Sequence, residues 1–159
     1  MTTDEALREE ALRRAFRHLS HRPRTRSELE RHLVRRGYDD ALVAATLRRC
    51  EELGYVDDRA FAVSWTLDRI RLKPRGVARI RLELREKGVS EEDAWAGIRH
   101  AFAEEGIEER DLLERAAEKR WRARRSEDPR TVRRRLAAYL ERRGFPSNDI
   151  REIVDHLVR

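Results

Sequence analysis

The stretch "RLELREKGVSEED" at residues 81–93 decides how this chain is read. Gly88 interrupts what would otherwise be one long helix, where a glycine costs roughly 1 kcal/mol relative to alanine. The residues after it, "VSEED", are those that start a new helix. The chain does this three times. Aligned on Gly37, Gly88 and Gly144, it places Leu33, Leu84 and Leu140 four residues earlier, and Leu29, Ile80 and Leu136 eight earlier. That spacing is one helical face. An apolar residue follows each glycine (Tyr38, Val89, Phe145), then the polar sets "DD", "SEED" and "PSND", and the apolar face resumes at Val43/Leu47, Ala94/Ile98 and Ile150/Val154. Each glycine is therefore expected to end one helix in the left-handed conformation, at the corner of a helix–turn–helix.

The upstream boundary repeats as well. "RPRTRSEL", "KPRGVARI" and "DPRTVRRRL" put Pro23, Pro74 and Pro129 ahead of the helix that runs to the glycine, where proline stops one helix and is tolerated in the first turn of the next. A third helix precedes each proline, predicted over about 5–20, 58–72 and 109–126 from the apolar periodicity. In the middle one, Phe61/Trp65/Leu72 and Val63/Leu67/Ile70 form two apolar faces, as expected of a helix covered on both sides. The reading is all-α: an elongated array of three tandem three-helix repeats, 1–56, 57–107 and 108–159, roughly 60 Å long if its helices stack at ordinary spacing.

Composition fits this. Of 159 residues, 43% are charged and 6% aromatic, which belongs to helices rather than sheets. No apolar run is long enough for a membrane span, and the first residues carry no secretory pattern. A cytoplasmic protein is expected. Cys50 has no second cysteine to pair with and lies at helical spacing from Val43 and Leu47, a core position. The net charge of +6 is concentrated: residues 110–145 hold 13 Lys/Arg against 6 Asp/Glu. Such a surface suits a polyanion or an acidic protein.

Enzyme chemistry finds little support. There is no phosphate-binding glycine loop, no H-E-x-x-H and no G-x-S-x-G. Of the five histidines only His18 and His21 share a helical spacing, and their arginine-rich surroundings supply no carboxylate for a metal. Asp57 and Asp58 in "GYVDDRAF" look most catalytic, but aspartates at a helix start cap free N–H groups, and Glu108/Glu109 hold the matching place in the next repeat. No cofactor is called for. Trp65 reads as core. Trp121, within "EKRWRARR", serves either the core or a contact to bases and phosphates. The helix–turn–helix units also raise a DNA-reading role, but the basic residues do not recur on one recognition helix.

Four stretches carry a resemblance to the RecX regulatory proteins of bacteria: "ALRRAFRHLSHRPRTRSELERHLVRRGY", "LGYVDDRAFAVSWTLDR", "KPRGVARIRLELREKGVS" and "RRRLAAYLERRGFPSNDIREIVDHL". The chain resembles that family over nearly its whole length. The resemblance implies a curved array of three three-helix repeats that binds the RecA recombinase filament along its groove and modulates strand exchange, ATP hydrolysis and co-protease activity. It also implies contact with single- or double-stranded DNA. The expected contacts are Arg24 and Arg26, then Lys73 and Arg75, at the Pro–Arg corners, with Lys87, Arg120, Arg122, Arg124, Arg125, Arg133 and Arg134. Many of these arginines are also placed to pair with glutamates four residues away. The competing reading is an autonomous DNA-binding helical repeat protein. A monomer is expected in either case, since no heptad seam is sustained.

Overall fold

The computed structural model describes residues 2–159. Among them are nine α-helices and no strand: α1 (Thr3–His21), α2 (Arg26–Arg35), α3 (Asp40–Glu52), α4 (Asp58–Arg71), α5 (Val77–Glu86), α6 (Glu91–Glu105), α7 (Glu109–Arg122), α8 (Pro129–Arg142) and α9 (Ser147–Leu157). Each consecutive trio packs together, giving three tandem three-helix units. The exposed surface of 10247 Å² exceeds the about 8,300 Å² expected of a compact monomer of this mass, as an elongated array requires.

The corners form as the repeat alignment predicts. Gly88 has φ +81° and Gly144 φ +83°. The N–H groups of Gly88 and Val89 donate to the carbonyls of Arg85 and Leu84, at 2.9 and 3.0 Å. Those of Gly144 and Phe145 donate to Glu141 and Leu140. These paired bonds satisfy the last carbonyls of α5 and α8 while Val89 and Phe145 turn into the core. After Gly88 the next helix starts on a side-chain cap, Ser90 accepting from the Asp93 N–H at 3.2 Å, whereas α9 starts after Pro146 without one.

Each unit has its own core. In the first, Leu29, Leu33, Leu47 and Cys50 are buried together, and burial raises the Cys50 thiol above its ordinary value, followed by the charge of Glu51. α4 is covered on both sides, as its two faces predict. Phe61 and Trp65 lie against the second core, and Val63, Leu67 and Ile70 belong to the third. Leu72 does not follow its predicted face. α4 ends at Arg71, and Leu72 in the turn beyond is 75% exposed. α7 also ends earlier than periodicity predicts, at Arg122, where a turn closes with the Arg124 N–H on the Trp121 carbonyl. Pro129 is the first residue of α8, whereas Pro23 and Pro74 precede their helices by three residues.

The units are held by a joint that the structure makes twice. At the first, the Thr25 hydroxyl donates to the Lys87 carbonyl at 2.6 Å and the Arg26 N–H donates to Asp58 at 2.8 Å. At the second, the Gly76 N–H donates to the Arg143 carbonyl at 2.7 Å and the Val77 N–H donates to Glu109 at 2.7 Å. In both, the start of one unit's second helix sits on the glycine corner of the next unit and is capped by an acid from that unit's first helix. A Cβ on Gly76 would lie 2.2 Å from the Gly144 carbonyl oxygen, whereas Thr25 fits at the same place.

This revises the reading of the acidic pairs. Asp57 caps its own helix, accepting from the Ala60 N–H at 3.0 Å, but Asp58 and Glu109 cap α2 and α5 across the joints. Local spacing could not reveal this, because the capped helix lies 32 residues away in each case. Burial raises both carboxyls above their ordinary range, and the backbone N–H each accepts partly offsets it.

Candidate binding surface

The joint between the second and third units also gathers charge. Arg75 and Arg79 from the α4–α5 corner and α5 meet Arg142 and Arg143 from the end of α8, lining an open recess of about 500 Å³. The carboxylate nearest Arg75 and Arg79 is Glu83, whose side chain is only 11% exposed. Arg75 and Arg79 each stand 3.6 Å from it. Arg69 takes the closer place at 2.7 Å, and the Trp65 indole N–H donates at 2.9 Å. Burial opposes ionisation of Glu83, but the hydrogen bonds from Arg69 and Trp65 and the charges of Arg69 and Arg75 hold its carboxyl below the usual range. One carboxylate thus answers three guanidiniums. Arg143 lies over the Tyr139 ring at 4.9 Å. The recess is strongly cationic, and its arginines offer the forked donors that suit phosphate and carboxylate groups.

The eleven residues expected from sequence fall into two sets, with Arg24 apart from both. Arg26, Arg75, Lys87, Arg122, Arg124 and Arg133 are engaged within the fold. Arg26 pairs with Glu51 at 2.9 Å, and Lys87 lies 3.5 Å from Glu28 and 4.7 Å over the Trp65 ring. Arg122 pairs with Glu118, and Arg124 pairs with Glu127 at 2.9 Å. Arg133 pairs with Asp155 and donates to the Val158 carbonyl at 2.5 Å, tying the chain's end to α8. Lys73, Arg120, Arg125 and Arg134 are exposed and, among the described residues, pair with no carboxylate. Arg120 lies over Tyr139 at 4.9 Å. Arg24 is half-buried, and its Nε finds no hydrogen-bond partner within the protein.

Of the first set only Arg75 reaches the recess. Arg79, Arg142 and Arg143 were not singled out by sequence reasoning. Their signal lay in the repeat alignment, since Arg143 precedes Gly144 as Lys87 precedes Gly88. Trp121 packs on the third core, half-buried, and is not free among its arginines. A groove of about 800 Å³ between α7 and α9 has the wrong charge for a polyanion. Glu114, Glu118, Glu152 and Asp155 line it against Arg110 and Arg159. No group of His, Cys, Asp and Glu among the described residues is placed to hold a metal ion. No helix among them is long and apolar enough to cross a membrane.

Three tandem three-helix units, joined corner to corner and carrying a cationic recess at a joint, define an all-α helical-repeat protein. Family models of the first, second and third three-helix domains of RecX match residues 11–50, 57–96 and 108–154. The chain belongs to the RecX family of regulatory proteins. It is 35% identical to the regulatory protein RecX of Chlorobaculum tepidum, over 95% of this chain and 90% of that one. It is 37% identical to the RecX of Mycobacterium sp. (strain JLS), over 92% and 80%. The crystal structure of RecX from Lactobacillus salivarius superposes with a TM-score of 0.80, at 20% identity, over 94% of this chain and 96% of that one. A second crystal structure of a regulatory protein RecX superposes at 0.78, with 26% identity over 93% and 73%.

Proposed function

We propose that this protein binds the RecA recombinase filament along its groove and inhibits or modulates its recombinase, ATPase and co-protease activities in DNA repair and recombination. Membership of a family named for regulation supports the general role. The observation that carries the reading further is the recess of Arg75, Arg79, Arg142 and Arg143, built where two units meet. An elongated array with cationic groups at successive positions can engage neighbouring subunits of a filament, each contact weak alone and strengthened by linkage to the others. Activity changes if the array binds one filament state better than another.

The test is recombinase ATP hydrolysis on single-stranded DNA, with this protein added below the recombinase concentration. Inhibition is expected from the native chain and a marked loss of it from the Arg142→Glu/Arg143→Glu variant. No inhibition by the native chain refutes the reading. The same recess also favours a second function, autonomous binding of DNA. That reading requires binding to bare DNA without recombinase, falling steeply with salt, and a salt slope reduced by roughly one unit per phosphate-contacting arginine removed.

A further inference from the structure

The first unit holds a second cationic recess that the recombinase reading does not use. His18 of α1 and His32 of α2 stack with ring centroids 3.8 Å apart and planes 7° from parallel. With Arg14, Arg17, His21 and Arg36 they line an open recess of about 160 Å³. That is room for roughly five water molecules, the scale of one tetrahedral oxyanion with part of its shell.

The charge facing the stack is almost all positive. From α1 come Arg14 and Arg17, from the turn Arg22 and Arg24, and from α2 Arg35 and Arg36, while His21 lines the recess beside them. Glu28 is the facing carboxylate, and it is already taken by Arg22 at 3.1 Å, by Lys87 at 3.5 Å and by the Thr25 N–H at 3.0 Å. Arg14 is held by the Tyr38 hydroxyl at 3.1 Å and by Glu10. Arg17 and Arg36 are exposed and make no ion pair among the described residues. The charge of Arg24, whose Nε has no hydrogen-bond partner within the protein, also acts on both rings.

Burial, then His32 and the arginines Arg24 and Arg22, push His18 down to about 4. Burial, then Arg36, Arg35, Arg14 and Arg24, lower His32 as well. Both rings are therefore neutral near pH 7, each with one N–H to offer. An anion placed among these groups would oppose the arginine charges that, after burial, hold the rings neutral.

We propose that this recess is a phosphate-binding site, in which Arg17 and Arg36 supply the fixed charge and the His18–His32 stack takes up one proton as the phosphate group arrives. Two adjacent imidazolium rings repel, so a single proton belongs to the pair rather than to either ring. By reciprocity, a phosphate that favours the protonated pair binds more tightly as pH falls. For a phosphate group of fixed charge, such as the phosphodiesters of oligothymidylate, the affinity is flat at high pH, rises as pH drops through the value the pair has when phosphate is bound, and levels off below its value in the free protein. One proton gives a gain of up to about tenfold per pH unit within that window. The proposal requires no recombinase and stands or falls apart from the filament reading.

The experiment follows the histidine ring protons of the full chain by NMR between about pH 4 and 8, with signals assigned from single His→Gln variants. Titrations are run with inorganic phosphate, with a short oligothymidylate, and with chloride at matched ionic strength. The expected result is that His18 and His32 titrate at higher pH with phosphate than with chloride, while His100 and His156 do not move. The Arg17→Ala/Arg36→Ala variant should lose that shift with its thermal unfolding unchanged. A shift with both probes means that any phosphate group is accepted. A shift with oligothymidylate alone assigns the site to the nucleic-acid backbone, and with inorganic phosphate alone to the free ion. No shift beyond chloride with either probe, or an equal shift at His100, overturns the proposal.

Discussion

Replacing Gly144 with alanine tests the joint between the second and third units, and Gly37 provides the control. Both glycines have left-handed φ, +83° and +88°, so alanine at either costs the strain of that conformation, about 1–2 kcal/mol. Their surroundings differ. An added Cβ at Gly37 meets nothing within 4 Å, whereas at Gly144 it would lie 2.4 Å from the Cβ of Arg79 and 2.7 Å from its backbone nitrogen. Those atoms cannot rotate away, so the corner must move off α5. That movement strands the Gly76 N–H now bonded to the Arg143 carbonyl, a further cost of about 1–3 kcal/mol, and loosens the cap from Glu109. Gly144→Ala should therefore lose about 2–5 kcal/mol in all, and Gly37→Ala about 1–2. Urea unfolding followed by circular dichroism measures both. With an m-value of about 2 kcal/mol/M, the midpoint falls by about 1–2.5 M for Gly144→Ala and by about 0.5–1 M for Gly37→Ala. A lower apparent m or a second phase in the Gly144 variant would show the third unit unfolding on its own. Equal losses from the two substitutions would refute the claim that this joint holds the array together.

The buried carboxylate of the arginine cluster and the acid of the first joint give further tests. Glu83→Gln removes the charge that three guanidiniums share and should cost about 1.5–3 kcal/mol at neutral pH in thermal or urea unfolding. Because the folded state holds the Glu83 carboxyl below its unfolded value, its contribution is present above the ordinary glutamate range and lost as pH falls through the folded value. The difference between native and Glu83→Gln proteins should therefore shrink in acid, and a constant difference down to that range would contradict the ion-pair account. Asp58 has the opposite sign. Its carboxyl is raised by burial, so ionisation works against folding above the unfolded aspartate range. Asp58→Asn, which keeps an acceptor for the Arg26 N–H, should leave stability unchanged or raise it, whereas Asp58→Ala should lose about 1 kcal/mol. Equal losses from the two variants would show that charge, not the accepted hydrogen bond, matters at the joint.

The repeated unit was legible because its signals are local. Gly88 and Gly144 had to adopt a conformation that costs other residues more, and Leu33, Leu84 and Leu140 lay at fixed spacing from the corners. Both faces of α4 were legible too, since Phe61/Trp65 and Val63/Leu67/Ile70 recur at separate helical phases. The joints were not. Arg26 and Asp58 stand 32 residues apart, and no periodicity within one helix marks a bond between the start of one helix and the start of another. The same limit hid the arginine recess. Arg142 and Arg143 read as one more charged pair near a helix end, and become a site only when Gly144 docks against Arg79. The stacked histidines were hidden in the same way. Helical spacing joined His18 to His21, whereas packing of α1 on α2 sets His18 on His32.

The outer faces of the first and third units differ from the joints in how α1 and α8 begin. With the 51-residue offset that places Asp58 against Glu109, the matching residue of the first unit is Leu7, which cannot accept a backbone N–H. α1 starts four residues before that position and closes on its own capping box, with the Thr2 N–H on Glu5 at 2.7 Å and the Glu5 N–H on Thr2. At the other end, aligned on the glycines, Arg133 falls where Arg26 and Val77 offer their free N–H groups. α8 also begins four residues early, at Pro129, and Asp128 caps it through the Thr131 N–H at 2.9 Å. Arg133 thus lies inside a helix with its N–H already committed. One extra turn at each end removes both halves of the joint, so neither end of one molecule can take another in the way the units take each other. A head-to-tail contact that did not close on itself would build an open fibre, and these two turns prevent it. The chain should therefore sediment as a monomer across the micromolar range. Concentration-dependent growth into longer species would show that the ends remain competent to join.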